Sequence, residues 1–440
     1  MRTELVVVGA GPAGLTAALA AADAGVAVTL VDGNRSLGGQ FYRQPASGPG
    51  TLPARLARAA THPGIALRLG SPVWQAHDRT VHLAGGGAVT ADAVVLATGA
   101  TELSFPFPGW ELPGVVTAGA AQALLKGQGL LVGRRVLVAG SGPFLLPVAA
   151  GLARGGAGVV GLFEATPLRP AARSALAGVR HPDKVVEALS YLKTLAGKGI
   201  RPRSGFAVTA CEGVERVERA VVSRVDRDWR SVPGTEQRIA VDAVCVSYGF
   251  VPALELPRAL GCREADGAVW HDDGQATDVP GVLVAGETTG IGGVRLAEAE
   301  GELAGLSAAR LLGHRPARRG AAARQTVARE RRFAKLLGRL YPARSGWLER
   351  LRPQTVFCRC EETTWGDVQA ALELGAVDAR SVKALTRCGM GYCQGRVCGP
   401  PLAAAVAART GGPSVGDLQR RIIGTPVPLG ELADPDALTE

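Results

Sequence analysis

Four uncharged residues, Leu5, Val6, Val7 and Val8, run directly into Gly9-Ala10-Gly11-Pro12-Ala13-Gly14, and no other stretch restricts the fold as tightly. An apolar run too short for a helix and stopped by glycines reads as a buried strand that hands over to a helix through a tight turn. Gly9 permits the turn, Gly11 lets a pyrophosphate approach the backbone, and Gly14 lets helix and strand pack closely. The ligand's charge then falls at the helix N-terminus, beside Pro12 and Ala13. A second apolar run, residues 26–31, ends in Asp32, eighteen residues after Gly14. A carboxylate there accepts ribose hydroxyls and repels a 2′-phosphate. Together these features predict an adenine-nucleotide site that excludes NADP and leaves FAD, NAD and ATP open. The glycine loop that follows, residues 33–43, adds Gly33, Arg35, Gly39 and Gln40 as candidate contacts.

The same pattern returns at residues 135–164. An apolar run leads into Gly140-Ser141-Gly142-Pro143-Phe144-Leu145, then a helix, then a strand ending in Glu164. This is an internal duplication with a damaged fingerprint. Leu145 stands where the third glycine belongs, and Pro147 is predicted one turn into the helix, where it removes a hydrogen bond. A Rossmann-like scaffold that has lost its cofactor is the expected outcome. Elsewhere, residues 51–69 read as helical, short alternating runs around Val73, Val81 and Val89 as a small antiparallel sheet, residues 182–198 as a helix and 205–248 as strands. His77 and His82 lie in that small sheet as ordinary strand residues. Buried strands end at Thr98-Gly99 and at Gly286-Glu287, and a helix over 294–312 returns the chain to the first domain.

A chain of 440 residues that is 47% hydrophobic suits two or three domains. Residues 5–22 and 136–153 are uncharged and long enough to suggest membrane spans. Each holds glycines and proline where a strand must hand over to a helix, so buried α/β units are expected, with no transmembrane segment. A cytoplasmic protein follows, any membrane association being made through partners. The net charge is +10, yet residues 310–352 alone hold thirteen Arg or Lys against two acids. Basicity so confined predicts a solvated helical linker or an acidic or phosphate partner, and not nucleic acid. Of eight cysteines, three are scattered and five fall in the last 83 residues. No C-x-x-C or C-x-x-x-x-C precedes residue 358, which excludes the redox-disulfide mechanism of thioredoxin and glutathione reductases.

Residues 1–312 resemble the two-dinucleotide-binding-domain flavoproteins, through GAGPAG at 9–14, VVLATG at 94–99 and VLVAGE at 282–287. In that family the late motif ends in Gly-Asp and meets the flavin's ribityl chain; Gly286-Glu287 is one methylene longer, which shifts the contact or the nucleotide bound. Cys358-Arg359-Cys360 is followed after 32 residues by Cys393, and after four more by Cys398. This resembles the bacterioferritin-associated-ferredoxin-like [2Fe–2S] domain in the wide C-x-x-x-x-C form found in opine oxidases, cyanide synthase, dye-linked proline and hydroxyproline dehydrogenases and anaerobic glycerol-3-phosphate dehydrogenase. The resemblance implies Cys358, Cys360, Cys393 and Cys398 as ligands and sets Cys388 aside; zinc is the chief rival. The Arg-rich segment next to them is expected to lie against the negative cluster and raise its potential.

The order of parts resembles the α subunit of a hetero-oligomeric amino-acid or opine dehydrogenase. It implies an α/β fold with a nucleotide domain (1–115 and 270–312), a degenerate second Rossmann domain (116–269), a basic helical linker (313–352), a small helical [2Fe–2S] domain (353–412) and a tail (413–440). It also implies FAD or another adenine nucleotide at the first site, FMN at an interface with a partner, a β subunit of D-amino-acid-oxidase type, a ferredoxin-like γ subunit and a respiratory acceptor. No acid–base pair or nucleophile stands out, so no catalytic residue is assigned. Two rivals remain: an NAD(P)H-dependent reductase working through its own cluster, and a non-catalytic electron-transfer scaffold.

Overall fold

The computed structural model describes residues 3–46, 50, 52–167, 181–317, 320–411 and 423–432. The chain forms two compact units, residues 1–101 with 250–334 and 419–440, and residues 102–249 with 335–418.

In the first unit, the strand Leu5–Val8 lies at the centre of a five-stranded parallel sheet, between Val28–Asp32 and Ala93–Leu96. Ile65–Leu69 and Val282–Val284 are the outer strands. Residues 51–69 are therefore not one helix. A short helical stretch ends by Ala60, Gly64 follows, and Ile65–Leu69 alternates between half-buried and exposed positions as an edge strand does. The three strands Val73–His77, Thr80–Leu83 and Ala88–Thr90 form the antiparallel sheet expected around Val73, Val81 and Val89.

The helix Pro12–Ala22 packs against the helix Val294–Leu311 through small residues. A Cβ added at Gly301 would meet the Ala13 carbonyl oxygen at 2.2 Å, and one at Gly305 the Ala17 oxygen at 2.3 Å. Backbone-to-backbone approach of this kind leaves no room for side chains, which is why the late helix is rich in Gly and Ala on one side. Part of the tail joins this unit: Thr425 Oγ1 donates to the Val73 carbonyl at 2.6 Å and the Gly85 N–H donates to Glu431 at 2.9 Å.

The second unit repeats the design. Arg135–Gly140 lies between Gly158–Glu164 and Ala243–Ser247, with Pro202–Ser204 and Val115–Thr117 outside them, all parallel. Its helix differs in one respect. The first helix begins at Pro12, immediately after Gly11, whereas the second begins at Leu145 and not at the corresponding Pro143. Pro147 thus sits in the first turn, where its missing N–H has no intrahelical partner to lose. The hydrogen-bond penalty expected at Pro147 does not arise.

Segments that cross between the sheets fall elsewhere than the sequence places them. Phe105, Phe107 and Trp110 share a core with Leu137 and Ala139 of the second unit, so the first crossing comes at 101/102 and not at 115/116. Leu254, Leu256, Cys262 and Val269 pack with Val6, Val8 and Val31, which moves the return from 269/270 to 249/250. The basic segment divides at 334/335, within the helix Ala321–Leu340.

The cysteine-bearing stretch forms a hairpin, Val356–Cys358 with Thr363–Thr364, followed by the helices Trp365–Glu373, Ala379–Thr386 and Gly399–Thr410. Capping boxes at Thr364/Asp367 and Asp378/Ser381 fix the first two helix starts. Its apolar residues Phe357, Val368, Val382 and Leu402 belong to the same core as Trp110, Trp229 and Trp347. The module is therefore packed into the second unit and has no separate core.

Candidate nucleotide site and cysteine centre

The opening glycines hold the geometry that nucleotide binding asks of them. Gly9 has φ +108°, and a Cβ there would sit 2.2 Å from the Ala97 carbonyl oxygen. A Cβ at Gly14 would lie 1.7 Å from the Gly9 oxygen, because the first helical turn rests on the turn before it. Gly11 is different: only the Gly39 Cα comes within 4.0 Å of its added Cβ, so its backbone faces open space. Asp32 closes the strand Val28–Asp32, where its carboxylate accepts the Ala10 N–H at 2.6 Å and the Asn34 N–H at 2.6 Å. Oδ1 also accepts the Asn34 side-chain amide at 2.8 Å, so Oδ2 is the oxygen that keeps acceptor capacity for a ribose hydroxyl. The open backbone at Gly11 and the acid at the next strand end fit an adenosine diphosphate group.

The other candidates surround this centre unevenly. Gly39 has φ +59° and packs on Gly11, whereas Gly33, Arg35 and Gln40 lie exposed in the same loop, with Gln40 accepting from Arg43 at 2.7 Å. Thr98 Oγ1 donates to the Ala253 carbonyl at 3.0 Å and lies 3.2 Å from Thr288 Oγ1, beside Gly99 at φ +76°. Gly286 presses on the first helix, since a Cβ there would lie 2.8 Å from the Ala13 Cβ. Burial, reinforced by the nearby Glu300, pushes the Glu287 carboxyl above the ordinary glutamate range.

One supporting contact had no counterpart among the sequence motifs. Glu300 is fully buried, accepts the Gly286 N–H at 3.0 Å and the Thr289 hydroxyl at 2.7 Å, and pairs with Arg331 at 2.7 Å. Arg331 also lies 2.7 Å from His271 Nε2. One cation of the basic helix therefore anchors the turn that carries Glu287. The available signal was an acid on the small, apolar side of the late helix, where an unpaired charge is costly.

The second turn repeats this geometry: the Gly142 N–H and the Thr166 N–H each donate to Glu164 at 2.8 Å. Burial nonetheless pushes the Glu164 carboxyl up, and Glu102, which accepts the Gly119 N–H at 2.8 Å, is raised for the same reason. A carboxyl raised in the folded state contributes stability that is present below its ordinary value of 4.5 and is lost as pH rises. Glu102→Gln keeps an acceptor for Gly119 and removes the ionisation. In urea unfolding it is expected to gain on the wild type between pH 4.5 and pH 7; an equal difference at both would contradict this cause.

The five C-terminal cysteines converge. Cys358 ends a strand, Cys388 follows the left-handed Arg387 (φ +63°), and Cys393 and Cys398 flank a tight turn at Gln394 and Gly395. Gly391 lets this loop press on Cys360, whose Cβ would be 2.3 Å from a Cβ at that glycine. The Sγ atoms of Cys358, Cys388 and Cys398 all lie within 4.8 Å of one another and are buried. Cys393 is hydrogen-bonded to both Cys398 and the exposed Cys360. Cys388, which the family pattern leaves out of the ligand set, thus lies within the cluster of sulfurs, brought there by the reversal of chain direction at Arg387.

Protons are shared within the set. Hydrogen bonds from Cys388 and Cys398 hold the Cys358 thiol down to about 2, and Cys398 lowers Cys393 to about 5, while Cys388 and Cys398 are themselves pushed up. Thiols so arranged yield thiolates, the form that binds metal. The scattered cysteines behave oppositely, burial pushing Cys211 and Cys245 to about 12 and Cys262 to about 11.

A cavity of about 180 Å³ opens among these sulfurs, lined by Cys358, Cys360, Cys393 and Cys398 together with Trp110 and Arg359, whose guanidinium lies 4.0 Å from the Trp110 ring centroid. A single zinc ion draws four sulfurs to about 2.3 Å and leaves no such space. Sulfur-only donors around a larger cavity fit a polynuclear iron–sulfur group, which Cys358, Cys360, Cys393 and Cys398 would hold. Val116, Thr117 and Val246 complete the wall, so the cavity lies at the C-terminal ends of two strands of the second sheet.

Residues 3–301 match the family described as pyridine nucleotide-disulphide oxidoreductase. The chain belongs to that family. Over nearly its whole length it is also similar to hydrogen cyanide synthase subunit HcnB of Pseudomonas protegens, 33% identical across 99% of this chain and 98% of the relative. An opine oxidase subunit of Rhizobium meliloti is likewise 33% identical, across 98% of this chain and 87% of that one. Among solved structures, L-proline dehydrogenase from P. horikoshii superposes with a TM-score of 0.69 at 21% identity, covering 98% of this chain and 80% of that one. Thioredoxin reductase of T. acidophilum superposes at 0.54 and 22%, over 70% of this chain and 98% of its own. The family fold is α/β with Rossmann-like domains and implies FAD binding. Among the described residues, no helix is long and apolar enough to cross a membrane.

Proposed function

We propose that this chain is the electron-relaying subunit of a hetero-oligomeric amine or amino-acid dehydrogenase, with FAD or another adenine nucleotide at Gly9–Gly14 and Asp32 and a [2Fe–2S] centre on Cys358, Cys360, Cys393 and Cys398. When bound, a flavin takes two electrons as a hydride and such a centre passes one at a time, so a chain holding both groups changes the electron number. The observation that carries this reading is the position of the cysteine cavity. It lies at the C-terminal ends of the strands Val115–Thr117 and Ala243–Ser247, in the sheet whose fingerprint turn carries Leu145 in place of its third glycine and starts its helix late.

The residues divide the labour. Asp32 and the backbone at Gly11 bind and orient the adenosine diphosphate part, Glu300 and Arg331 fix the turn carrying Glu287, and Trp110 and Arg359 wall the cysteine cavity. None offers an acid, base or nucleophile for oxidising a C–N bond, so that step belongs to a partner. The relatives are themselves named as subunits, which supports a partner chain; our reading makes it a D-amino-acid-oxidase-like β subunit acting on an opine, proline, hydroxyproline or glycine type of substrate, with a ferredoxin-like γ subunit, FMN at an interface between chains and a respiratory acceptor.

The test is stopped-flow mixing of the purified, coloured protein with NADH and NADPH under anaerobic conditions. The proposal expects neither to bleach the visible bands within seconds, whereas dithionite does. Rapid bleaching by either would favour an NAD(P)H-dependent reductase working through its own cluster.

A further inference from the structure

Five cysteines meet at this centre, one more than a four-thiolate cluster takes. Cys388 is fully buried with its Sγ within 4.8 Å of those of Cys358 and Cys398, yet it is absent from the cavity wall, which Cys358, Cys360, Cys393 and Cys398 supply. Cys388 thus lies against the Cys358–Cys398 pair without lining the space a cluster would fill. Its place is fixed from both ends: its N–H donates to Thr386 Oγ1 at 3.2 Å, and left-handed turns at Arg387 (φ +63°) and Gly389 (φ +86°) flank it. The sulfurs beside it are those of Cys358, at the end of its strand, and Cys398.

A thiol so placed has one chemical use left. The wall already supplies four sulfurs, and an S–H is a weak donor that sulfur accepts. Hydrogen bonds to ligand sulfurs draw charge off the metal centre and favour its reduced, more negative state. We propose that Cys388 is not a ligand but a positioning residue, whose S–H donates to the Cys358 sulfur and raises the reduction potential of the iron–sulfur centre. The inference rests on the iron–sulfur reading above.

The test compares anaerobically purified wild-type chain with C388A and C388S by iron content, visible absorption and a redox titration of the cluster bands. Both variants are expected to keep the wild-type iron content and band positions. The C388A cluster should titrate at a lower potential than the wild type, and C388S, which retains an O–H donor, above C388A. If alanine leaves the chain unfolded, Cys388→Val takes its place as the donor-free variant of nearer volume. Loss of iron from the donor-free variant would make Cys388 a ligand and overturn the proposal, and so would an unchanged midpoint. Zinc in the wild-type chain would overturn the iron–sulfur reading instead, a failure visible before any variant is made.

Discussion

Cys398→Ala is expected to abolish the iron–sulfur absorption and leave the bound nucleotide in place. Cys398 both lines the cavity and has its Sγ within 4.8 Å of those of Cys358 and Cys388. It is buried, at 1% exposure, immediately before the helix Gly399–Thr410. Removing it leaves the wall of the cavity with three sulfurs, and Cys388 is not among the residues that line it. Loss should be near complete in iron and acid-labile sulfide, measured against Cys262→Ala as the control. Cys262 is a buried thiol in the other unit, so its replacement costs packing and a weak hydrogen bond to Thr277 Oγ1 at 3.8 Å. Wild-type iron in Cys398→Ala would show that the four wall cysteines are not the ligand set.

Gly14→Ala is expected to empty the nucleotide site. The added Cβ would lie 1.7 Å from the Gly9 carbonyl oxygen and 3.3 Å from a Val7 methyl. The first of these is backbone and has no rotamer by which to move aside. The chain's own duplication supplies the comparison: where Leu145 takes the place of that glycine, the helix starts two residues late. Transferred to the first unit, such a retreat withdraws the N–H groups of Ala13 and Gly14 from the Gly11 turn and with them the anion site of the helix N-terminus. Overpacking of this order costs about 1–3 kcal/mol, and lost binding of the nucleotide adds to it. Nucleotide released on denaturation, quantified per chain with the melting temperature, checks this; full occupancy with an unchanged melting temperature would contradict it.

Much of the first site was legible because its signals are local. A strand, three glycines and an acid at fixed spacing specify one turn, and the same grammar exposed the duplication at Gly140–Glu164. The thiol cluster was legible for the same reason. What sequence did not carry was which surface a segment joins. Residues 102–115 and 250–269 read as continuations of the neighbouring domain, yet Trp110 and Leu254 are claimed by different cores, and only tertiary packing decides that. Ile65–Leu69 was lost to a helical reading because a short edge strand has a weak period-two signal beside good helix formers. Pro147 misled because its effect depends on where the helix begins, which Leu145 alters. The Glu300–Arg331 pair was hidden by long-range geometry, although Glu300 on an apolar helix side was a signal that asked for a partner.

The central claim, that one chain holds a nucleotide cofactor and a polynuclear iron centre, meets its most direct test in the anaerobically purified protein. Iron, zinc and acid-labile sulfide are measured per chain, beside the visible spectrum before and after dithionite. The account predicts iron and sulfide in equal amounts, flavin bands overlaid by broad cluster absorption, and bleaching of both on reduction. A colourless chain with zinc on its C-terminal thiols would contradict it.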